Sequence, residues 1–283
     1  MMRSGLFIAS LLVSLPVAAF DLGGLGNIDL EKAVKVVQKV QKANADINEP
    51  QEIDLGGGIA SNLLGAAPLW DNPRVQRYVN RVGRWLALQT ERPDLPWQFG
   101  VLDDNDVNAF AAPGGYVFIT KGLLARINNE AELAGVLAHE ISHVLRKHHL
   151  QALKKGARSE LMSDLANDVI KSQGGDPRLS KLVSAGTEIY ARGLDKQDEF
   201  EADRMGVVIA ARAGYDPYGL PAVLQTLQSI NPNDSNLALM FKTHPALGDR
   251  LSLLDGLMSE SLADREGQPD VAARFVSELS AVK

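Results

Sequence analysis

The chain of 283 residues contains no cysteine. That absence excludes a disulfide scaffold, a thiolate metal site, a cysteine nucleophile and an acylated N-terminal cysteine. A basic block is also missing, and the formal charge of −6 argues against nucleic acid as a partner. There is no internal repeat and no low-complexity tract. Beyond residue 19 no stretch is apolar enough to span a bilayer, so the mature chain is expected to have no transmembrane segment. Residues 1–19 stand apart from the fold. Arg3 forms a positive n-region, residues 6–13 an apolar run too short to span and closed off by Pro16, and Val17-Ala18-Ala19 a small-residue cleavage site. They read as the signal peptide of an exported protein, cleaved near Ala19. Histidine is scarce too: the five are at positions 139, 143, 148, 149 and 244.

Two of the five stand in His139-Glu140-Ile141-Ser142-His143, an HExxH pattern inside a long helical run. At ~100° per residue, positions 139 and 143 fall ~40° apart on one face and one turn apart along the axis. Two imidazoles so placed can grip a single zinc ion, with Glu140 beside them to take a proton from water without ligating the metal. Asn129 and Glu132 form an N-terminal cap signal, and Leu133, Val136, Leu137, Ile141 and Val144 an apolar stripe.

Around this helix the periodicity predicts an amphipathic helix over residues 28–45 and a second helix opened by Asn72-Pro73. The second carries Val75, Tyr78, Val79, Val82, Trp85 and Leu86 toward a core. The triplet Gly56-Gly57-Gly58 has no preceding strand and no following GK[ST], and reads as a tight backbone approach rather than a phosphate loop. Strands are expected over residues 97–102 and 115–120, with a turn at 103–106 that lacks calcium-loop spacing. Residues 150–186 contain helical pieces at 160–170 and 182–184 and read as a helical hairpin, with a lid over a cleft as the alternative. A helix follows over 196–213, then shorter ones, and a tail that is polar and then weakly amphipathic. The expected organisation is a signal peptide (1–19), an N-terminal helical segment (20–70), a catalytic domain (71–259) and a C-terminal tail (260–283).

A catalytic zinc takes three protein ligands and one open position. His149 sits where a HExxHxxGxxH pattern puts its third ligand, but position 146 is Arg rather than Gly. If the helix continues through 145–147, His149 points ~80° from His139 and His148 points away altogether. The stronger candidate is Glu199. Glu199 and Asp203 are four apart on the helix over 196–213, so one carboxylate can ligate zinc while the other accepts the free ring N–H of a ligand histidine. Glu201 lies ~200° round from Glu199 and reads as solvated or structural.

The chain resembles the zinc endopeptidase family that includes the CAAX-prenyl endopeptidase and the HtpX heat-shock protease, and most of all its soluble periplasmic BepA-like branch. The likeness runs from about Pro73 to Leu254. It rests on Asn108-Ala109-Phe110-Ala111, Pro113-Gly114-Gly115-Tyr116-Val117, the approach to HExxH from Glu132, and Glu199-Phe200-Glu201-Ala202-Asp203-Arg204. Gly214-Tyr215-Asp216-Pro217 and Thr243-His244-Pro245 with Arg250 complete it. The resemblance implies an α+β, predominantly helical, gluzincin-like domain with a small sheet beside the HExxH helix, and about one Zn²⁺ per chain. It implies Glu199 as third ligand, Asp203 and Arg250 as its supports, and Asn108 to Ala111 as an edge strand that holds the backbone of a polypeptide substrate. It also gives His244 a role at the metal, either as a donor to the tetrahedral oxyanion or as a fourth ligand that blocks the site; the blocking role is the expectation. The transmembrane helices of some family members and the long C-terminal repeat domain of the BepA-like chaperones have no counterpart here. Peripheral association is the only membrane contact expected. The implied function is exported peptide-bond hydrolysis in the quality control of misfolded or envelope proteins. The competing reading is a chaperone or adaptor with a zinc site and weak or gated proteolysis.

Overall fold

In the computed structural model, residues 46–156, 193–230, 235–262, 265 and 267–280 are described. The signal-peptide stretch, the helix expected over 28–45 and the helical pieces at 160–170 and 182–184 lie outside the described residues. Three strands form one sheet: β1 (Gln98–Leu102), β2 (Ala109–Ala112) and β3 (Tyr116–Thr120). Their order is β1-β3-β2, with β1 parallel and β2 antiparallel to β3. The Asn108–Ala111 run therefore lies along the sheet's edge, as expected.

Helix α1 (Glu49–Ala66) begins with a reciprocal cap between Asn48 and Gln51. It lays Leu55 and Ile59 against Phe110, Phe118, Leu150 and Leu153. The glycine triplet lies inside this helix, and a Cβ on Gly56 would come within 1.7 Å of the Pro113 carbonyl oxygen. The tight approach is real, and it joins a helix to the β2–β3 turn. In α2 (Pro73–Ala87) the Asn72 side chain accepts from Val75 N, and Val75, Tyr78, Val79, Val82 and Leu86 are buried. Trp85 departs from expectation, being 49 % exposed. Its indole N–H donates to Ala213 O at 2.9 Å, so the ring lies flat along the rim, one end bonded and one face wet.

After the single turn of α3 (Lys121–Leu124) comes the HExxH helix, α4 (Glu130–Leu145). Asn129 caps it by accepting from Glu132 N at 2.8 Å, and the Glu132 carboxylate accepts in return from Asn128 N, one residue outside the usual position. The sequence pattern predicts one apolar stripe, yet all 16 residues of α4 are buried. Neighbours surround it: α2, the sheet, and α5 (Lys196–Arg212), α6 (Gly219–Ser229) and α9 (Ala272–Leu279). Further helices among the described residues include α7 (Ala238–Thr243) and α8 (Leu247–Ser261). Among the described residues, no helix is long and apolar enough to cross a membrane.

The weakly amphipathic tail contains α9, which packs Phe275 against Tyr78 and caps the start of α4. Ala131 N, an orphan donor of the first helical turn, donates to Asp270 O at 3.0 Å. The fully buried Glu130 carboxylate accepts from Tyr78 Oη at 2.8 Å, Tyr215 Oη at 2.7 Å and the Arg274 guanidinium. Burial alone would raise the Glu130 pKa, but these donors outweigh it and hold the carboxyl below its ordinary 4.5. Its contribution to stability is thus complete above about pH 4.5 and is lost as pH falls through the depressed value. Glu130→Ala should destabilise the protein by about 2–4 kcal/mol in denaturant unfolding. Two buried hydroxyls lose their acceptor, while the half-exposed Arg274 is re-solvated and adds little.

Candidate active site

Helix α4 brings His139 Nε2 and His143 Nε2 to within 3.0 Å of each other. Helix α5 crosses close by, because Gly206 has no side chain; a Cβ there would sit 3.0 Å from His139 N. The crossing delivers Glu199, with Oε2 3.6 Å from His139 Nε2 and Oε1 3.5 Å from His143 Nε2. His244, at the C-terminal cap of α7, places Nδ1 3.0 Å from Glu199 Oε2. Ligand atoms from these four residues all lie within 4.8 Å of one another. A tetrahedron with metal–ligand bonds of ~2.0–2.1 Å has edges of ~3.3 Å, close to the spacings among the two imidazoles and Glu199. Glu199 Oε1 is buried and makes no hydrogen bond. An uncompensated carboxylate oxygen at this depth is costly unless a cation is its partner, and the donor set fits Zn²⁺.

Each ligand is held from behind. His139 Nδ1 lies 2.9 Å from Asp203 Oδ1, though its N–H points off the line to the oxygen. Asp203 is clasped by Arg250, through Nε at 2.7 Å and Nη2 at 2.6 Å, and Arg250 Nη1 reaches Glu199 Oε2 at 3.1 Å. Burial pushes the Asp203 pKa up, but Arg250 and His139 overcome it and hold the carboxyl well below the usual range. Glu199 behaves alike: His244 and Arg250 outweigh its burial and bring it to about 2. Burial also disfavours a charged His244, yet Glu199 and Glu140 hold that imidazole up to about 9. Glu140 is the exception. Burial dominates and raises its carboxyl above 4.5, and its Oε2 has no hydrogen-bond partner. A carboxyl in this state is suited to picking up and returning a proton.

The family model for peptidase family M48 matches residues 73–258. The chain belongs to peptidase family M48. It is 29% identical over 247 residues to the beta-barrel assembly-enhancing protease of Escherichia coli (strain K12), covering 85% of this chain and 50% of that one. Its Yersinia pestis counterpart is 32% identical over 216 residues, 74% of this chain and 44% of its own. The mitochondrial metalloendopeptidase OMA1 of Schizosaccharomyces pombe is 27% identical over 190 residues, covering 67% of this chain and 55% of that protein. The chain spans about half the length of these curated relatives.

Most of the expected M48 site residues converge. Asn108, Ala109 and Phe110 line cavities that adjoin Glu140 and His244, while the Ala111 side chain is buried in the core. Arg250 is a buried clasp. Two expectations need correction. Helix α4 does not continue through 145–147: it ends at Leu145, and Lys147 turns into the left-handed region with φ of +58°. His148 consequently does not point away but folds back to place Nδ1 2.9 Å from His143 Nδ1. Glu201 takes the structural alternative of its reading, pairing with Arg146 and approaching His148 Nε2 at 3.3 Å. Nothing local signals this reversal, because lysine is a good helix former; Lys147 Nζ is held by buried Glu52 of α1 at 3.0 Å.

Asp203→Ala should weaken zinc binding by ~10–100-fold while leaving every metal-ligating atom in place. Chelator competition measures this, and an unchanged dissociation constant would assign Asp203 to Arg250 alone.

Proposed function

We propose that the chain is an exported zinc-dependent endopeptidase. The observation that carries this reading is Glu140: a buried carboxyl with a free oxygen, outside the four-residue cluster yet beside it. Its Oε1 lies 3.8 Å from His244 Nε2, and its unbonded Oε2 is the atom placed for proton transfer. His139, His143 and Glu199 hold the metal. Zinc, when bound, polarises the scissile carbonyl and lowers the pKa of water to about 7. Glu140 takes the proton from the attacking water at Oε2 and returns it to the leaving amine. Asn108 to Ala111 are the residues that the family resemblance assigns to the substrate backbone, a mode of binding that makes little demand on sequence. A small cavity whose apolar lining includes Leu123, Val136, Leu220 and Leu224 opens beside Glu140, with room for an apolar substrate group.

The substrates are polypeptides, in the first instance misfolded or envelope proteins. The names of the Escherichia coli and Yersinia pestis relatives support that class, and the N-terminal sequence supports export to the periplasm. His244 lies beside the cluster, with Nδ1 3.0 Å from Glu199 Oε2; in its neutral form it would hold the site off as a fourth ligand.

Purified wild-type protein should bind about one zinc per chain and degrade an unfolded protein such as casein. Glu199→Ala should lose the metal, whereas Glu140→Ala should keep it and lose hydrolysis. A zinc-replete wild-type protein with no hydrolysis would return the reading to a chaperone or adaptor.

Zinc-replete His244→Ala should show raised basal proteolysis. A fall of about 100-fold would instead make His244 a donor to the oxyanion.

A further inference from the structure

The two ligand histidines are held by unlike devices. His139 faces a carboxylate, Asp203, directly. Behind His143 stands another imidazole, that of His148, itself buried, with the Nδ1 atoms 2.9 Å apart. His143 Nε2 points at the cluster, 3.0 Å from His139 Nε2 and 3.5 Å from Glu199 Oε1. When that nitrogen gives its lone pair to a metal, the ring proton of His143 must sit on Nδ1. His148 Nδ1 then has to accept, which leaves the His148 proton on Nε2. That atom faces Glu201 Oε2 at 3.3 Å and Asp198 Oδ1 at 3.7 Å. Every step has one arrangement of protons, and the last acceptor is a carboxylate.

We propose that His148, backed by Glu201, is a positioning residue that fixes the tautomer and ring orientation of His143. The proposal rests on the zinc-peptidase reading above. A ligand imidazole needs such a partner, because an unheld ring rotates and its outer N–H is left unsatisfied in a buried site. The backbone is shaped for the task. Lys147 adopts a left-handed conformation that a residue with a side chain enters with strain, and it does so where the chain must double back to lay His148 against His143. Its ammonium is tied to Glu52, which also accepts from Gly114 N at 3.3 Å and pairs with Arg92 at 2.9 Å. The reversal is therefore anchored to α1, outside the catalytic helices.

Zinc affinity by chelator competition and the visible absorption of the Co²⁺-substituted protein test this in full-length His148→Ala, His148→Asn and Glu201→Ala. His148→Ala should bind zinc ~10–100-fold more weakly and shift the Co²⁺ bands. His148→Asn, whose amide oxygen falls near the position of Nδ1, should restore both. Glu201 is partly exposed, so its alanine variant tests the same relay without a buried cavity, and it should weaken zinc binding by a smaller factor. Unchanged affinity in His148→Ala would overturn the proposal. So would equal losses in the Ala and Asn variants, which would make ring volume rather than the hydrogen bond responsible. If His148→Ala does not fold, an unaltered Glu201→Ala counts against the proposal. Failure of the wild-type protein to bind zinc would instead overturn the peptidase reading, and is a distinguishable result.

Discussion

A helix buried on every side that nonetheless carries two imidazoles and three carboxylates is the constraint on which this structure turns. Polar groups at that depth are tolerated only when another element reaches in to meet them. Several elements do so. Helix α2 supplies Tyr78 to Glu130, α5 supplies Asp203 to His139, α8 supplies Arg250 to Asp203, and α9 supplies Arg274 to Glu130. The chain just after the turn that ends α4 supplies His148 to His143. Among the buried polar atoms left without a hydrogen bond are Glu199 Oε1 and Glu140 Oε2, the groups read as serving the metal and proton transfer.

Electrostatics separates the acids of the site. Arg250 serves both Asp203 and Glu199, holding two adjacent carboxylates ionised where burial would neutralise them. Glu140 lies farther from that guanidinium's reach, and burial prevails there. Three acids within one small volume are therefore set to two different tasks: His244 and Arg250 keep Glu199 ionised, Arg250 and His139 keep Asp203 ionised, and at Glu140 burial prevails.

Short-range spacing made much of this legible. The caps at Asn72 and Asn129, the strands β1 and β3, the HExxH geometry and the four-residue step from Glu199 to Asp203 are all properties of local period, and the structure has them; β2 came from the family resemblance. What could not be read locally depends on contacts between distant segments. Lys147 leaves the helix because Glu52, far back in the chain, holds its ammonium, and the His148 contact follows from that turn. Trp85 fits an apolar stripe by spacing, yet its indole N–H is claimed by Ala213 O at the rim. His244 and Arg250 carried no periodic signal toward the centre; the family resemblance placed them there. Thr243 links the two halves of the cleft, its hydroxyl lying 3.4 Å from Asn108 Oδ1 at the start of the edge strand.

The staple between α9 and the start of α4 also orders events in time. Ala131 N and Glu130 wait for Asp270 and Arg274, partners more than a hundred residues downstream. A ribosome delivers the ligand helix long before it delivers that closure, and contacts of such separation form late. The first turn of the helix that carries HExxH is therefore closed by a segment synthesised well over a hundred residues after it.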